Sequence, residues 1–440
     1  MKHYDLFVIG SGSGGCVAAN ICRRAGFRVG IAEKRSIGGI GAVAHNSPQK
    51  NLVAAAEIAY RVGLMNGKGI KGEISVDWER LKGERSEQSG LEEELRSSGI
   101  EIYRGFCRFN AMNVLEVAGE KIYSRFILIA AGARPVKFSF VGSEHLISSW
   151  QFMNMPSLPS SIVFVGGGYI SFEFAHIAAR AGSKVTIIEA APRPLRTFDD
   201  QLVDILVQES RAAGIEVFTG APLTSIEKQG SRFRVHAGAN RIEADLIVHG
   251  AGRVPDIEEL NLGAGYVSTN EQGIAVNRYL QSVSNPAVYI AGDVNSTGIQ
   301  LKPVAEMESA AAASNMLLSN NEMPDYSAAA RALLTSPPLC AVGMGEKDAA
   351  LENIPFDISF FDNFSDSKAA CGTECSRFAF KIISEKGTGR ILGAHILGHN
   401  AQEAVNGFSI AIRGGCTIKE LKTSALAFPS VLYNVVNSIK

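Results

Sequence analysis

Leu6-Phe-Val-Ile9-Gly10-Ser-Gly12-Ser-Gly14-Gly15 is the stretch on which the fold turns. Four apolar residues in a row read as a strand buried on both faces, and the glycines after them break the strand into a tight turn. A helix carrying Cys16 and Cys22 follows, and Arg28-Val-Gly-Ile-Ala32 reads as a second strand closed by Glu33. Each glycine has its own reason to be there. Gly10 permits the turn, Gly12 lets backbone approach a pyrophosphate, and Gly15 lets the helix pack close to the sheet. The start of the helix offers free N–H groups and a positive dipole end to phosphates. Glu33 is placed to accept hydrogen bonds from a ribose. A lone GxGxxG is a weak signal, because glycine-rich turns recur widely. Here the strand before it, the helix after it and the acid at the expected distance make it a dinucleotide-binding unit.

The same design returns further along. Ile162-Val-Phe-Val165 leads into Gly166-Gly-Gly168-Tyr169-Ile170-Ser171, and Lys184-Val-Thr-Ile-Ile188 ends at Glu189. Two such units in one chain imply two dinucleotides. Smaller marks surround them. Phe126-Ile-Leu-Ile-Ala-Ala131-Gly132-Ala-Arg-Pro135 is a buried strand ending in a small-residue turn, and Leu246-Ile-Val-His-Gly-Ala-Gly252-Arg-Val-Pro255 is a second exit of that kind. Ala287-Val-Tyr-Ile-Ala-Gly292-Asp293 delivers a glycine and a carboxylate at the end of an apolar strand. From Arg331 onwards the texture changes to alternating strands (Arg377 to Ile383, Ile391 to Leu397) and amphipathic helices, which reads as a separate C-terminal domain. The Asn320-Asn-Glu-Met-Pro-Asp325 stretch reads as a linker.

Composition narrows the function. At 440 residues the chain predicts two or three domains. A net charge of -1 argues against a nucleic-acid partner. No apolar run reaches the roughly 20 residues that span a bilayer, so no membrane partner is expected. Met1-Lys-His-Tyr-Asp5 runs straight into the first strand, which predicts no signal peptide. Seven cysteines without framework spacing indicate a reducing, cytoplasmic setting. The histidines lack ligand spacing, so no metal site is expected.

Between the two units lies Gly38-Gly39-Ile-Gly41-Ala-Val-Ala-His45-Asn46-Ser-Pro48-Gln-Lys50. Together with the two glycine loops, the AAGARP, GAGRVP and AGDV exits and Ser336-Pro-Pro-Leu-Cys-Ala-Val-Gly343, it resembles the pyridine nucleotide-disulfide oxidoreductases. That family includes glutathione reductase, lipoamide dehydrogenase and mercuric reductase, and the likeness covers essentially the whole chain. It implies an α/β fold: two Rossmann-like dinucleotide-binding domains, for FAD and NAD(P), plus an α+β C-terminal dimerisation domain. The expected boundaries are 1–150 and 254–325 for the FAD domain, 151–253 for the NAD(P) domain and 326–440 for dimerisation, giving a homodimer. The resemblance places FAD at Gly10, Gly12, Ser13, Gly14, Gly15, Glu33, Lys34, Gly39, Lys50, Ala131, Gly132, Asp293 and Ala305. It places the nicotinamide nucleotide at Gly166, Gly168, Tyr169, Ile170, Glu189 and Gly252. Lys50 would sit near the reactive flavin nitrogen, paired with Glu173, and Tyr169 would be a mobile ring covering the flavin. The plainer readings are a solvated lysine and a packed aromatic.

The departures matter as much as the likeness. The family's redox helix follows GGxCxxxxCxPxK, and here Gly41 and Asn46 fill both cysteine positions. The family's C-terminal His and Glu, an acid–base pair for the partner's disulfide, are matched by Phe428 and Tyr433 in Ala427-Phe-Pro-Ser-Val-Leu-Tyr433. Electron relay and proton relay are lost together, so an ordinary dithiol reductase is not expected. Cys371 and Cys375 form the one close cysteine pair, at a place where the family has no redox role. His45 reads either as a proton donor near the flavin or as a packed helix residue. Glu189 repels a 2′-phosphate, which favours NAD(H) over NADP(H), although Arg193 and Arg196 follow it closely. The resulting expectation is an FAD-dependent oxidoreductase that moves hydride from NADH to flavin and then directly to a small acceptor such as a quinone. The competing readings are a soluble transhydrogenase, a non-turnover FAD/NADH sensor, and a dihydrolipoamide dehydrogenase-like enzyme with relocated cysteines.

Overall fold

A computed structural model describes residues 1–39, 48–72, 74–83, 89–362 and 377–439. Gly41, His45, Asn46, Cys371 and Cys375 lie outside the described residues, and of Lys50 only the backbone is described. The chain forms two compact units.

The first unit joins Met1–Pro48, Arg85–Val136 and Arg253–Tyr326. At its centre Lys2–Ile9 pairs in parallel with Val29–Glu33 on one side and Glu120–Ile129 on the other. Glu101–Arg104 extends one edge, and Val288–Ile290 also pairs in parallel with Glu120–Ile129. The unbroken apolar run has its explanation here, because side chains alternate across a strand and both faces are covered. Phe7 and Ile9 pack on one face with Phe109, Ile127 and Ile129. Leu6 and Val8 pack on the other with Ala18, Ala19 and Cys22 of the helix Ser13–Arg24. Burying each of these large side chains contributes roughly 1.5–3 kcal/mol. Gly30 is required by its neighbour: a Cβ there would meet the Phe7 ring at 2.7 Å.

The second unit joins Gln49–Glu84, Lys137–Gly252 and Ser327–Lys440. Its parallel sheet has the order Ile215–Phe218, Lys184–Ile188, Ser161–Val165, Leu246–His249, Ile147–Ser148. Phe152 anchors the core beneath it, with ring centroids 5.4 Å from Phe164 and 5.2 Å from Phe174. An antiparallel five-stranded sheet follows, ordered Arg331–Leu333, Leu339–Gly343, Ile391–Leu397, Ala379–Glu385, Phe356–Asp362. Helices Ala401–Arg413 and Val431–Ser438 cover it through Phe408 and Val435. The expected mixture of parallel dinucleotide-type sheets and a C-terminal α+β part is therefore present. Among the described residues no helix is long and apolar enough to cross a membrane.

Candidate cofactor and active sites

In the first unit the glycine loop is shaped by what its backbone meets. A Cβ on Gly10 would lie 2.3 Å from Ala130 O, and one on Gly15 only 2.0 Å from Gly10 O. Gly10 also holds φ +102°, which a side chain strongly disfavours. A Cβ on Gly14 would meet Ala291 O at 3.1 Å, whereas one on Gly12 would meet nothing within 4 Å among the described residues. The open side of the loop is thus at Gly12, where a phosphate needs to approach. Gly12 is the N-cap and no side chain among the described residues caps the helix, so its first N–H groups remain for an anion.

Glu33 is buried and already oriented. Its Oε2 accepts the Ser11 N–H at 3.0 Å and the Ser11 hydroxyl at 2.8 Å, and its Oε1 accepts the Arg35 N–H at 2.9 Å. Ser11 Oγ also accepts the Gly38 N–H at 2.8 Å, which ties the next loop to the same carboxylate. Ser11 is a site residue that the glycine pattern did not single out. Gly39 brings backbone close: a Cβ there would sit 3.2 Å from Gly12 Cα. Lys34 binds Asp256 Oδ1 at 3.0 Å and Glu259 at 3.2 Å, so its charge is shared with two carboxylates. Gly132 holds φ +70° and its carbonyl accepts the Asp256 N–H at 2.9 Å. Burial pushes the Asp293 carboxyl above the usual carboxylate range, and Arg253 opposes that rise. Glu308 holds the Asp293 loop in place, accepting the Gly292 N–H at 2.7 Å and Asn295 Nδ2 at 3.0 Å. Ala305, one turn earlier on that helix, is buried against Gly292.

The second glycine loop repeats the first with different atoms. A Cβ on Gly166 would meet Ala251 Cα at 2.4 Å, and Gly168 is an extended N-cap without a side-chain bond. The third glycine is replaced by Ser171, and Gly250 at the end of a neighbouring strand makes room for it. A Cβ on Gly250 would lie 2.1 Å from Ser171 Oγ. Glu189 is held much as Glu33 is, by the Gly167 N–H and by the Ala191 N–H at 2.7 Å. Arg193 is committed elsewhere, binding Asp204 Oδ2 at 2.6 Å and Asp200 O at 3.1 Å. Ile170 is half-buried beside Tyr169, and Gly252 holds φ +97°. The Tyr169 hydroxyl is buried without a hydrogen-bond partner among the described residues. Glu173 accepts the Leu334 N–H at 2.9 Å.

At the C-terminal end, Phe428 and Tyr433 meet edge to face, with centroids 5.1 Å apart and planes at 69°. Phe428 is 74 % exposed. Ser430 caps the helix that carries Tyr433, accepting its N–H at 3.2 Å. Two residues that read as replacements for an acid–base pair do touch each other, but through ring faces and edges.

Residues 4–309 match the model described as pyridine nucleotide-disulphide oxidoreductase, and residues 329–438 match the dimerisation domain of that name. The chain belongs to this family. Glutathione reductase of Burkholderia cepacia is 30% identical over 438 residues, covering 97% of this oxidoreductase and 96% of that protein. Dihydrolipoyl dehydrogenase of Chlamydia muridarum is 29% identical over 441 residues, covering 97% and 94%. Mercuric reductase of Staphylococcus aureus is 27% identical over 442 residues, covering 96% and 79%. The solved Cu(II) complex of the HOCl-induced flavoprotein disulfide reductase RclA from Escherichia coli aligns with a TM-score of 0.87 at 23% identity. It covers 100% of this chain and 99% of that one, a likeness of fold. The oxidoreductase family binds FAD and NAD(P)H. The residues present fit both groups, since each glycine loop leaves its N-cap open beside an oriented carboxylate.

Proposed function

We infer that this chain is a cytoplasmic, homodimeric FAD-dependent oxidoreductase that takes hydride from NADH and reduces a small acceptor such as a quinone directly. Bound FAD would supply a two-electron carrier between nucleotide and acceptor. Gly10, Gly12 and Gly15 shape its phosphate cradle, with Glu33 at the ribose and Asp293 at the ribityl chain. Lys50 and Glu173 are assigned to the neighbourhood of the flavin ring, where a cation favours the reduced, anionic form. The Gly166–Gly168 loop receives the nucleotide, and Tyr169 yields to the nicotinamide.

The reading rests on one observation: Gly41 and Asn46 stand where a redox disulfide would be. The Phe428–Tyr433 ring pair agrees with it, because no disulfide chemistry remains for an acid and a base to serve. Flat apolar surfaces also suit a planar acceptor. NADH is favoured because Glu189 is fixed by two backbone donors and Arg193 is neutralised by Asp204. The named relatives are a glutathione reductase, a dihydrolipoyl dehydrogenase and a mercuric reductase, and these substitutions support a different electron route for the present chain.

Anaerobic stopped-flow reduction by NADH, followed by mixing with quinones, NADP⁺, lipoamide and glutathione disulfide, tests the reading. Fast reoxidation by a quinone is the expected result. NADPH formation would point to a transhydrogenase, and slow reoxidation by every oxidant to a sensor. Turnover of lipoamide or glutathione disulfide would overturn the proposal.

A further inference from the structure

Tyr169 opens the second glycine-loop helix, and its ring packs on Phe198 with centroids 5.3 Å apart and planes inclined by 47°. Phe198 lies on the connection between strand Lys184–Ile188 and helix Asp200–Ala212, yet it is only 5% exposed. Connections of this kind ordinarily run over the surface and move. This one is tied down along its length. The Leu195 N–H donates to Gly167 O at 2.8 Å, and the Phe198 N–H donates to Leu195 O at 2.9 Å. Arg331 donates to Thr197 O at 3.1 Å. Asp199 caps the following helix with one oxygen, accepting the Gln201 N–H at 3.1 Å and the Leu202 N–H at 3.2 Å. Its other oxygen takes Lys381 Nζ at 2.8 Å. Lys381 is 2% exposed and also binds Glu346, so leaving it unpaired would be strongly unfavourable. Asp199, the residue next to Phe198, is therefore held by a helix cap and a buried ion pair at once.

Tyr169 is not held in this way. Its hydroxyl is buried without a hydrogen-bond partner among the described residues, so ring packing has to fix its orientation.

We propose that Phe198 is a positioning residue for the nucleotide step, a fixed wall that keeps Tyr169 in its nucleotide-free orientation and that NADH must compete against. The proposal rests on the reading that Tyr169 yields to nicotinamide. Its consequence is counter-intuitive: weakening the wall strengthens nucleotide binding. Losing one aromatic pair should tighten NADH binding by roughly 2- to 10-fold.

The test uses flavin-loaded enzyme with Phe198→Ala, Phe198→Leu, Tyr169→Ala and the Tyr169→Ala/Phe198→Ala pair. Two quantities are read: the dependence of flavin reduction on NADH in stopped flow, and NAD⁺ binding by titration calorimetry. Phe198→Ala should lower both dissociation constants by that factor while the limiting reduction rate stays near wild type. In the Tyr169→Ala background the same change should have no effect. Should Phe198→Ala fail to retain flavin, Phe198→Leu carries the same expectation, because it removes the ring but keeps apolar volume. An equal shift with and without Tyr169, or no shift at all, overturns the role of Phe198. If Tyr169→Ala itself leaves binding and rate at wild-type values, the yielding-ring reading fails first and takes the proposal with it.

Discussion

Glu189 shows how much one side chain can decide. Its two oxygens accept from backbone donors before any nucleotide arrives, so in the role we propose for it no further ordering is needed to meet a ribose. Glu189→Ala should lower kcat/KM for NADH by roughly 10-fold, the scale of one charge-assisted hydrogen bond, and narrow the preference over NADPH. Asp204→Asn should act on the other arm by releasing Arg193. The Arg193–Asp204 pair is about half exposed on each side, so the gain in kcat/KM for NADPH should be only about 2- to 5-fold. Steady-state kinetics with both nucleotides checks the two variants. His176 offers a stability counterpart. Its Nδ1 accepts the Ser336 N–H at 3.3 Å, which puts the ring proton on Nε2, facing Ser210 Oγ at 3.0 Å. Burial, with Arg180 adding to it, pushes this imidazole down to about 3 from 6.5. The folded state therefore keeps the ring neutral while the unfolded chain takes up a proton. The stability that depends on a neutral ring is complete above pH 6.5 and is lost as pH falls towards 3. This group's share of the slope is about 1.4 kcal/mol per pH unit. His176→Gln should flatten the acid limb of a pH series of urea midpoints relative to wild type.

The strand–turn–helix units were legible in the sequence because their determinants are local. An apolar run, spaced glycines (with Ser171 at the third position of the second loop) and an acid at the end of the next strand lie within one short segment, and the structure returns both strand–turn–helix units. What could not be read is what depends on distant partners. Ser171 was visible as an odd third glycine, but its compensation by Gly250 was not, since the two meet only when a distant parallel strand is laid beside the loop. Gly250→Ala should cost about 1–3 kcal/mol through overpacking. Adding Ser171→Ala should recover most of it by removing the oxygen that the new methyl meets at 2.1 Å. Denaturant unfolding of the two single variants and the pair checks this, and an additive loss would contradict it. Lys381 was equally opaque. It sits in the strand Ala379–Glu385, where sequence alternation says nothing of a buried charge. Asp199 and Glu346, brought in from elsewhere in the chain, make that burial tolerable. Ser11 carries no mark in the glycine pattern, because its role of orienting Glu33 through two hydrogen bonds depends on a strand 22 residues further on.

For the molecule as a whole, the deciding quantity is how many electrons a subunit holds. A redox disulfide is a two-electron couple in addition to the flavin, and its thiolate must be accessible and stabilised to act. Four of the five described cysteines do not meet that condition. Cys16, Cys22, Cys107 and Cys340 are free thiols, each pushed up to about 12 by burial. They remain protonated at neutral pH and cannot relay electrons as thiolates. Cys416 stands alone in the sequence, so Cys371 and Cys375 are the close pair that remains, and removing them separates the two chemistries. Anaerobic dithionite titration of the flavin-loaded enzyme should end at two electrons per flavin, with no long-wavelength thiolate-to-flavin absorption at any stage. The Cys371→Ser/Cys375→Ser variant should give the same end point and the same quinone turnover. A further two electrons in the parent that disappear in the double variant would place a disulfide at those positions and return this chain to the chemistry of its named relatives. If the end point and turnover stay unchanged, the flavin must deliver electrons without sulfur, and the loss of an acid–base pair at Phe428 and Tyr433 follows as its consequence.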